Sequence, residues 1–216
     1  FGDVEVFSMH ATKVLNAGEG GFASTYDPAL ADRMRTIRNF HASQSFANVP
    51  LRINAKMSEA QAAMGLMSLE DLPANCRRNK LLYDAYFSRL SAMAGLETVT
   101  FDESESNNHQ YLIVEVDPEA AGLSRDELVL LLKAENVLAR RYFTPGVHRM
   151  PPYRDLYPQY ADALPVSDAL SKRLLQLPLG EGVRVEDVET VCAFLRFCLD
   201  NAGAIAPLMR EKADRP

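Results

Sequence analysis

An imidazole, two hydroxyls and a lysine fall within the short run Phe7-Ser8-Met9-His10-Ala11-Thr12-Lys13, and Gly18-Glu19-Gly20-Gly21 follows shortly after. The chemistry that suits this set is covalent capture of a carbonyl. A lysine amine attacks an aldehyde only when unprotonated, and its ordinary pKa of about 10.4 leaves little free amine at neutral pH. An apolar pocket or a neighbouring cation lowers that value, because burial disfavours the charged form. Phe7, Val14 and Leu15 are the apolar residues at hand, His10 could exchange protons, and Ser8 could donate to an anion held beside Lys13.

The same residues admit a purely structural reading. Most lysines are solvated surface charges, and a Ser-x-x-x-x-Lys spacing is common. Glycines after a strand can simply serve a turn, since glycine reaches positive φ without steric cost. Composition and spacing leave both readings open.

Three segments in order carry a resemblance. The lysine run with its glycines is similar to the cofactor-lysine segment of the DegT/DnrJ/EryC1/StrS family, the pyridoxal-phosphate-dependent nucleotide-sugar aminotransferases. Arg52-Ile53-Asn54-Ala55-Lys56-Met57-Ser58-Glu59-Ala60-Gln61-Ala62-Ala63 resembles that family's Asn-x-Arg-Met-Ser-Glu-x-x-Ala-Ala element. Arg141-Tyr142-Phe143-Thr144-Pro145, with His148, Pro151 and Tyr153, resembles its Tyr-Phe-x-Pro-x-His-x-x-Pro-x-Tyr element.

The resemblance implies a fold and a set of roles. The fold is α/β, a fold type I transferase of the aspartate aminotransferase kind. Residues 1–70 would end the large cofactor-binding domain, and residues 71–216 would form the small C-terminal α+β domain. Lys13 would form the Schiff base with pyridoxal 5'-phosphate and then move the proton between the donor's α-carbon and the cofactor. Ser8 would bond the cofactor phosphate, and Asn54 would reach the phosphate of the neighbouring subunit of a homodimer. His10, Lys56, Arg141, Tyr142, His148 and Tyr153 are the substrate-side candidates. Lys56 stands where the family commonly has arginine, so a planar two-pronged grip becomes a single mobile charge. Arg140 and Arg141 both suit the donor's carboxylate, but alternation along a strand aims only one of them at a site.

The implied reaction moves an amino group from an amino acid, usually glutamate, to a keto group of a nucleotide-linked deoxysugar. Such products feed cell-surface polysaccharides or glycosylated natural products. Two alternatives stand beside it. A sugar dehydratase of the same fold would carry histidine in place of the cofactor lysine, whereas Lys13 is present. A non-catalytic assembly module is the other, because the family places before the lysine its phosphate-binding glycine turn, its ring-stacking residue and the carboxylate for the pyridine nitrogen. The opening Phe1-Gly2-Asp3 likewise reads as the later part of a longer polypeptide.

Composition bounds the classes. A chain of 216 residues can bury roughly 70% of its unfolded surface. Its 47% hydrophobic and 24% charged content is ordinary for a globular protein. The net charge of -6, without a long basic block, argues against nucleic acid as partner. No apolar run is long enough to span a bilayer. Three cysteines, Cys76, Cys192 and Cys198, lack metal-ligand spacing, and their odd number fits a reducing cytoplasm better than a disulfide scaffold. Cys192 and Cys198 flank apolar residues and read as core thiols.

Elements must hold these residues in place. Val4 to Met9 and Gly21 to Thr25 read as strands joined by the lysine loop, and Asp27-Pro28 starts a helix ending near Arg38. Asn39 to Pro50 reads as a polar connection. One helix follows from Ser58 to about Leu69, and a second is expected from Pro73 to Ala94, stopped by Gly95. On the second, Leu82, Tyr86, Leu90 and Met93 mark a core face, with Arg77, Arg78 and Lys80 on the solvated side. Strands are expected at Glu97 to Phe101, Gln110 to Val116 and Val137 to Phe143, around the solvated stretch Asp102 to Asn108. Ser124 and Glu127 form a capping box for a helix ending near Glu135. A proline-rich loop then runs through Pro152, and helices are expected at Val166 to Leu175 and Glu186 to Asn201, with Glu211 to Pro216 frayed.

Overall fold

The computed structural model describes residues 2–39 and 53–213, in two compact units, 1–74 and 75–216. The expected connection from Asn39 to Pro50, and Arg52, fall almost wholly outside the described residues.

The first unit is organised around a two-stranded antiparallel sheet of β1 (Glu5–Ser8) and β2 (Gly21–Ser24), in register from Glu5 opposite Ser24 to Ser8 opposite Gly21. Phe7 and Phe22 face each other across it and stack with centroids 4.7 Å apart, a cross-strand aromatic pair. Residues 9–20 connect the strands and contain Lys13. Helix α1 (Pro28–Arg38) starts where Asp27 and Pro28 predict it. The Asp27 carboxylate accepts from the Ala29 and Leu30 amides at 2.8 and 3.2 Å, and Arg35 and Arg38 suit the negative end of the helix dipole.

Helix α2 (Glu59–Leu90) opens with a reciprocal cap, in which Ser58 Oγ accepts from the Gln61 amide and Gln61 Oε1 accepts from the Ser58 amide. The two helices expected here are one. Pro73 lies inside α2, and a proline there forfeits one hydrogen bond and crowds the carbonyl of Leu69. Both Leu69 and Pro73 are exposed, so water can take over the displaced carbonyl. The helix ends at Leu90, before the expected Ala94, and Gly95 then turns the chain at φ +78. A Cβ on Gly95 would lie 2.4 Å from the Ala121 amide nitrogen, so no other residue fits.

The second unit is an antiparallel four-stranded sheet in the order β3-β4-β6-β5, covered by helices. Its strands are β3 (Leu96–Thr98), β4 (Leu112–Val116), β5 (Arg140–Arg141) and β6 (Leu174–Leu177). Two expectations are corrected here. The helix α6 (Pro165–Arg173) stops before Leu175, and the following Leu-Leu-Gln-Leu is a strand inserted between β4 and β5. A short apolar run at a helix end fits either period, and only pairing with β4 decides it. The strand expected over Val137 to Phe143 shrinks to Arg140–Arg141, because it lies on the sheet edge, where only β6 can pair with it.

Between β4 and β5 lie α3 (Pro118–Ala121) and α4 (Arg125–Ala134), the latter opened by the Ser124–Glu127 capping box. The proline-rich segment carries a 3₁₀ turn at Val147–Arg149 and the short helix α5 (Tyr153–Leu156). Helices α7 (Val185–Asp200) and α8 (Ala202–Ala213) close the unit. Helix α8 extends order into residues expected to fray, and 214–216 lie outside the described residues. Among the described residues no single helix is long and apolar enough to cross a membrane.

One core joins these elements. Leu82, Tyr86, Leu90 and Met93 of α2 and its exit meet Val114 of β4, Leu132 of α4, Leu175 of β6 and Leu195 of α7, all buried. The core face of α2 is therefore the one its periodicity marks, while Arg78, expected in solvent, is half-buried with its Nε enclosed. Cys192 and Cys198 sit in this core, and burial pushes each thiol up to about 11. Since the thiolate is the reactive form, both thiols are expected to resist iodoacetamide in the native protein at pH 8. Half-buried Cys76 should be alkylated first, and peptide mass mapping before and after denaturation checks the order.

Candidate active site

The lysine loop is a clamped segment. The Met9 amide donates to Gly20 O, the Ala17 amide to Met9 O, and the Lys13 amide to His10 O, each at 2.9 Å. Met9 and Ala17 are buried against Gly65 of α2, where a Cβ would lie 2.5 Å from Met9 Cε. Two side chains of α2 complete the clamp: Ser68 Oγ accepts from the Asn16 amide at 3.0 Å, and Gln61 Nε2 donates to Glu19 O at 3.1 Å. The missing side chain at position 65 thus lets the loop lie directly on the helix. Asn16 Nδ2 donates to Lys13 O at 3.2 Å, fixing the backbone beneath the half-buried lysine.

Within that loop the polar side chains are already organised. Ser8 Oγ accepts from the His10 amide at 3.3 Å, so the hydroxyl has its own proton to offer an anion. His10 Nδ1 lies 2.9 Å from Thr12 Oγ1, and its Nε2 lies 3.7 Å from Glu19 Oε1. The imidazole is therefore braced on both nitrogens by loop neighbours. Of the apolar walls expected around Lys13, Phe7 and Leu15 line a cavity of the first unit together with Met34, Ile53 and Leu66, whereas Val14 and Lys13 are not among its lining residues.

Asn54 and Lys56 form a second polar group in this unit. Asn54 bridges to Asn39 through the backbone, and its Oδ1 accepts from Lys56 Nζ at 2.6 Å. That bond leaves the Asn54 amide NH₂ as the donating end, set beside an ammonium that lines the cavity. The lysine at the family's arginine position thus orients the asparagine.

The third motif lies in the second unit. Tyr142, His148 and Tyr153 line one cavity of about 990 Å³ with Phe143, Tyr157 and Tyr160. Tyr142 packs between Tyr111 and Phe143, with centroids at 5.6 and 4.3 Å. Arg141 stands outside this cavity, and its Nε pairs with Asp126 Oδ1 at 2.9 Å. Arg140, the other edge arginine, is exposed.

His148 is more committed than its motif implies. Its side chain is only 8% exposed, and Nε2 lies 2.9 Å from Asp168 Oδ1. Asp168 also accepts two bonds from Arg149, at 2.9 and 2.5 Å, and these bonds, reinforced by His148, hold its carboxyl well below the usual range. An ionised Asp168 sets the His148 proton on Nε2. Because the folded-state value lies below the ordinary 3.8, the group stabilises the fold fully above that value and loses its contribution as pH falls further. Asp168→Asn is therefore expected to lower the urea midpoint at pH 7 and pH 5 alike, and the gap to the parent should close only below pH 4.

Sequence reasoning did not find Asp168, Asp126, Tyr157 or Tyr160. The chain offers aromatic density around the third motif as a signal, and Asp126 adjoins its partner Arg125, whereas Asp168 lies about twenty residues from His148 and Arg149. Among the described residues no cluster of His, Cys, Asp and Glu is placed to hold a metal ion.

Residues 1–196 match the model of the DegT/DnrJ/EryC1/StrS aminotransferase family. The chain is 29% identical over 188 residues to dTDP-4-amino-4,6-dideoxy-D-glucose transaminase of Escherichia coli, covering 87% of this chain and 50% of that protein. Among solved structures it is similar to DesI, crystallised in the presence of its TDP-sugar product, with 41% identity, a TM-score of 0.89, and coverage of 97% of this chain and 53% of DesI. DesV of S. venezuelae, in complex with a ketimine intermediate, is similar at 25% identity and a TM-score of 0.80, over 91% and 51% of the two chains. The chain spans about half the length of the relatives it matches.

Proposed function

The chain belongs to the DegT/DnrJ/EryC1/StrS aminotransferase family, and from that membership we propose that it carries the catalytic lysine and the substrate loop of a pyridoxal-phosphate-dependent nucleotide-sugar aminotransferase. The architecture is that of fold type I pyridoxal-phosphate transferases. The observation that supports the proposal is the clamped loop, in which Lys13 is held five residues after Ser8, the last residue of β1.

The residues present fit the cofactor. Its aldehyde calls for a lysine amine, and its phosphate for proton donors. Lys13 supplies the amine, and Ser8 Oγ supplies a donor because its acceptor side is taken by the His10 amide. When bound, pyridoxal phosphate supplies an electron sink for the charge left on the donor's α-carbon. Lys13 Nζ would hold the cofactor's aldehyde carbon and, once displaced there by the donor's amine, would take the α-carbon proton. His10, braced by Thr12 and Glu19, keeps the loop polar beside it. Asn54, oriented by Lys56, serves the phosphate of a neighbouring subunit in a homodimer, and Arg141 receives the carboxylate of the amino donor, glutamate.

The acceptor in this reading is a keto group of a nucleotide-linked deoxysugar, supported by the likeness to DesI and to the E. coli transaminase. Tyr142, His148 and Tyr153 belong to the segment that covers it. A cytoplasmic location completes the proposal, supported by three free cysteines. The test is incubation of the purified protein with pyridoxal phosphate, followed by borohydride and peptide mapping. A cofactor-sized mass increment on the Lys13 peptide is expected. An increment confined to other lysines, or none, overturns the reading and favours a non-catalytic assembly module.

A further inference from the structure

Arg125 is the largest side chain wholly enclosed in the second unit, with 1% of its side chain exposed. Its guanidinium spends its donors on four acceptors. Nη1 donates to Leu174 O at 2.6 Å, and Nη2 donates to Ser171 O at 2.9 Å and to Thr144 Oγ1 at 3.0 Å. Nε donates to Asp126 Oδ1 at 2.6 Å. Leu174 O also accepts from the Tyr142 amide at 3.2 Å, and Thr144 Oγ1 in turn donates to Ser171 O. One buried fork therefore grips the segment 142–144 at both ends.

The Asp126 limb has a different character. Asp126 is half exposed, and the same Oδ1 that takes the Arg125 proton lies 2.9 Å from Nε of Arg141. A surface ion pair by itself adds little stability. Here the carboxylate is held by a hydrogen bond from a buried cation, and it forms an ion pair with Arg141 on the Nε side of its guanidinium. That leaves the two terminal nitrogens of Arg141 as the edge for a bidentate carboxylate grip.

We infer that Arg125 and Asp126 are positioning residues for Arg141, the buried guanidinium fixing Asp126 and Asp126 orienting Arg141 toward the carboxylate of the amino donor. The inference rests on the aminotransferase reading and on the place given there to Arg141. Preorganising a long side chain removes rotamer freedom before the donor arrives, so its loss appears in donor affinity.

The test uses the purified protein loaded with pyridoxal phosphate, and the donor half-reaction followed by absorbance. Asp126→Asn keeps the size and removes the charge. It is expected to raise the donor KM about tenfold, equivalent to about 1.4 kcal/mol, with kcat within about twofold. In an Arg141→Ala background the same change is expected to add nothing, since the two act on one interaction. Arg125→Lys, which keeps a cation but lacks the fork, should move the donor KM in the same direction while the circular dichroism spectrum stays that of the parent. An unchanged donor KM in Asp126→Asn, a fall in kcat alone, or a full effect persisting in Arg141→Ala would overturn the inference. The underlying reading fails separately, by absence of the borohydride adduct on Lys13 in the parent, and takes the inference with it.

Discussion

Lys13→Ala is expected to lower turnover by about 10³-fold or more and to remove the borohydride-stable cofactor mass from the Lys13 peptide. In the proposed reaction two losses would combine in this one side chain: the covalent anchor, and the amine that takes the α-carbon proton. Lys13→Arg is the sharper control. It keeps a long cation at the site but cannot form the covalent link, so it should be as inactive as the alanine variant. Neither change is expected to disturb the fold, because the loop is held by the Met9, Lys13 and Ala17 amides and by Gln61 and Ser68 of α2. Thermal unfolding of both variants within error of the parent separates a chemical loss from a structural one. Retained turnover in Lys13→Arg would show that the covalent link is not needed.

Arg125→Ala is expected to destabilise the second unit by about 2–4 kcal/mol. The guanidinium is buried, and its removal takes one donor each from the Leu174 and Ser171 carbonyls and from Thr144 Oγ1, while the Tyr142 amide and the Thr144 hydroxyl still donate to the two carbonyls. The lost charge-assisted hydrogen bonds and the void left by the arginine stem add up to that cost. The exposed Arg35–Asp32 pair is the contrast, since breaking it should cost at most about 1 kcal/mol. Urea denaturation followed by far-UV circular dichroism measures both. An Arg125→Ala midpoint as close to the parent as that of Asp32→Ala would mean that water replaces the guanidinium.

The two variants sit at opposite ends of what could be read from residue order. Lys13 is legible because its loop is local. The partners that shape its backbone, His10 and Asn16, lie within three residues of it, and the strand and glycine signals around it are short-range. The caps are legible for the same reason: Asp27 on α1 and Ser124 with Glu127 on α4 bond amides two or three residues away. The core face of α2 follows from a period that any helix imposes on its own side chains.

Arg125 carries no such mark. As residues run, it opens an amphipathic helix next to an acid and looks like a solvated charge. It is buried because α6 and β6, about fifty residues later, bring two carbonyls to its fork. His148 is similar, since its motif suggests an available imidazole and Asp168, twenty residues away, claims it. β6 reads locally as the end of α6, and Pro73 as a break in α2. In each case a local signal was outweighed by pairing or exposure that the fold supplies.

By itself, the sequence determined the family, the helix caps and the order of most elements, because those depend on interactions spanning a few residues. Only the tertiary structure decided that Gly65 lets the lysine loop lie on α2, that Lys56 orients Asn54, and that Asp168 and Arg125 organise the segment bearing Tyr142 and His148. Those outcomes depend on which distant backbone or side-chain groups share one small space, and a buried polar group must find its partner wherever the packed chain places one.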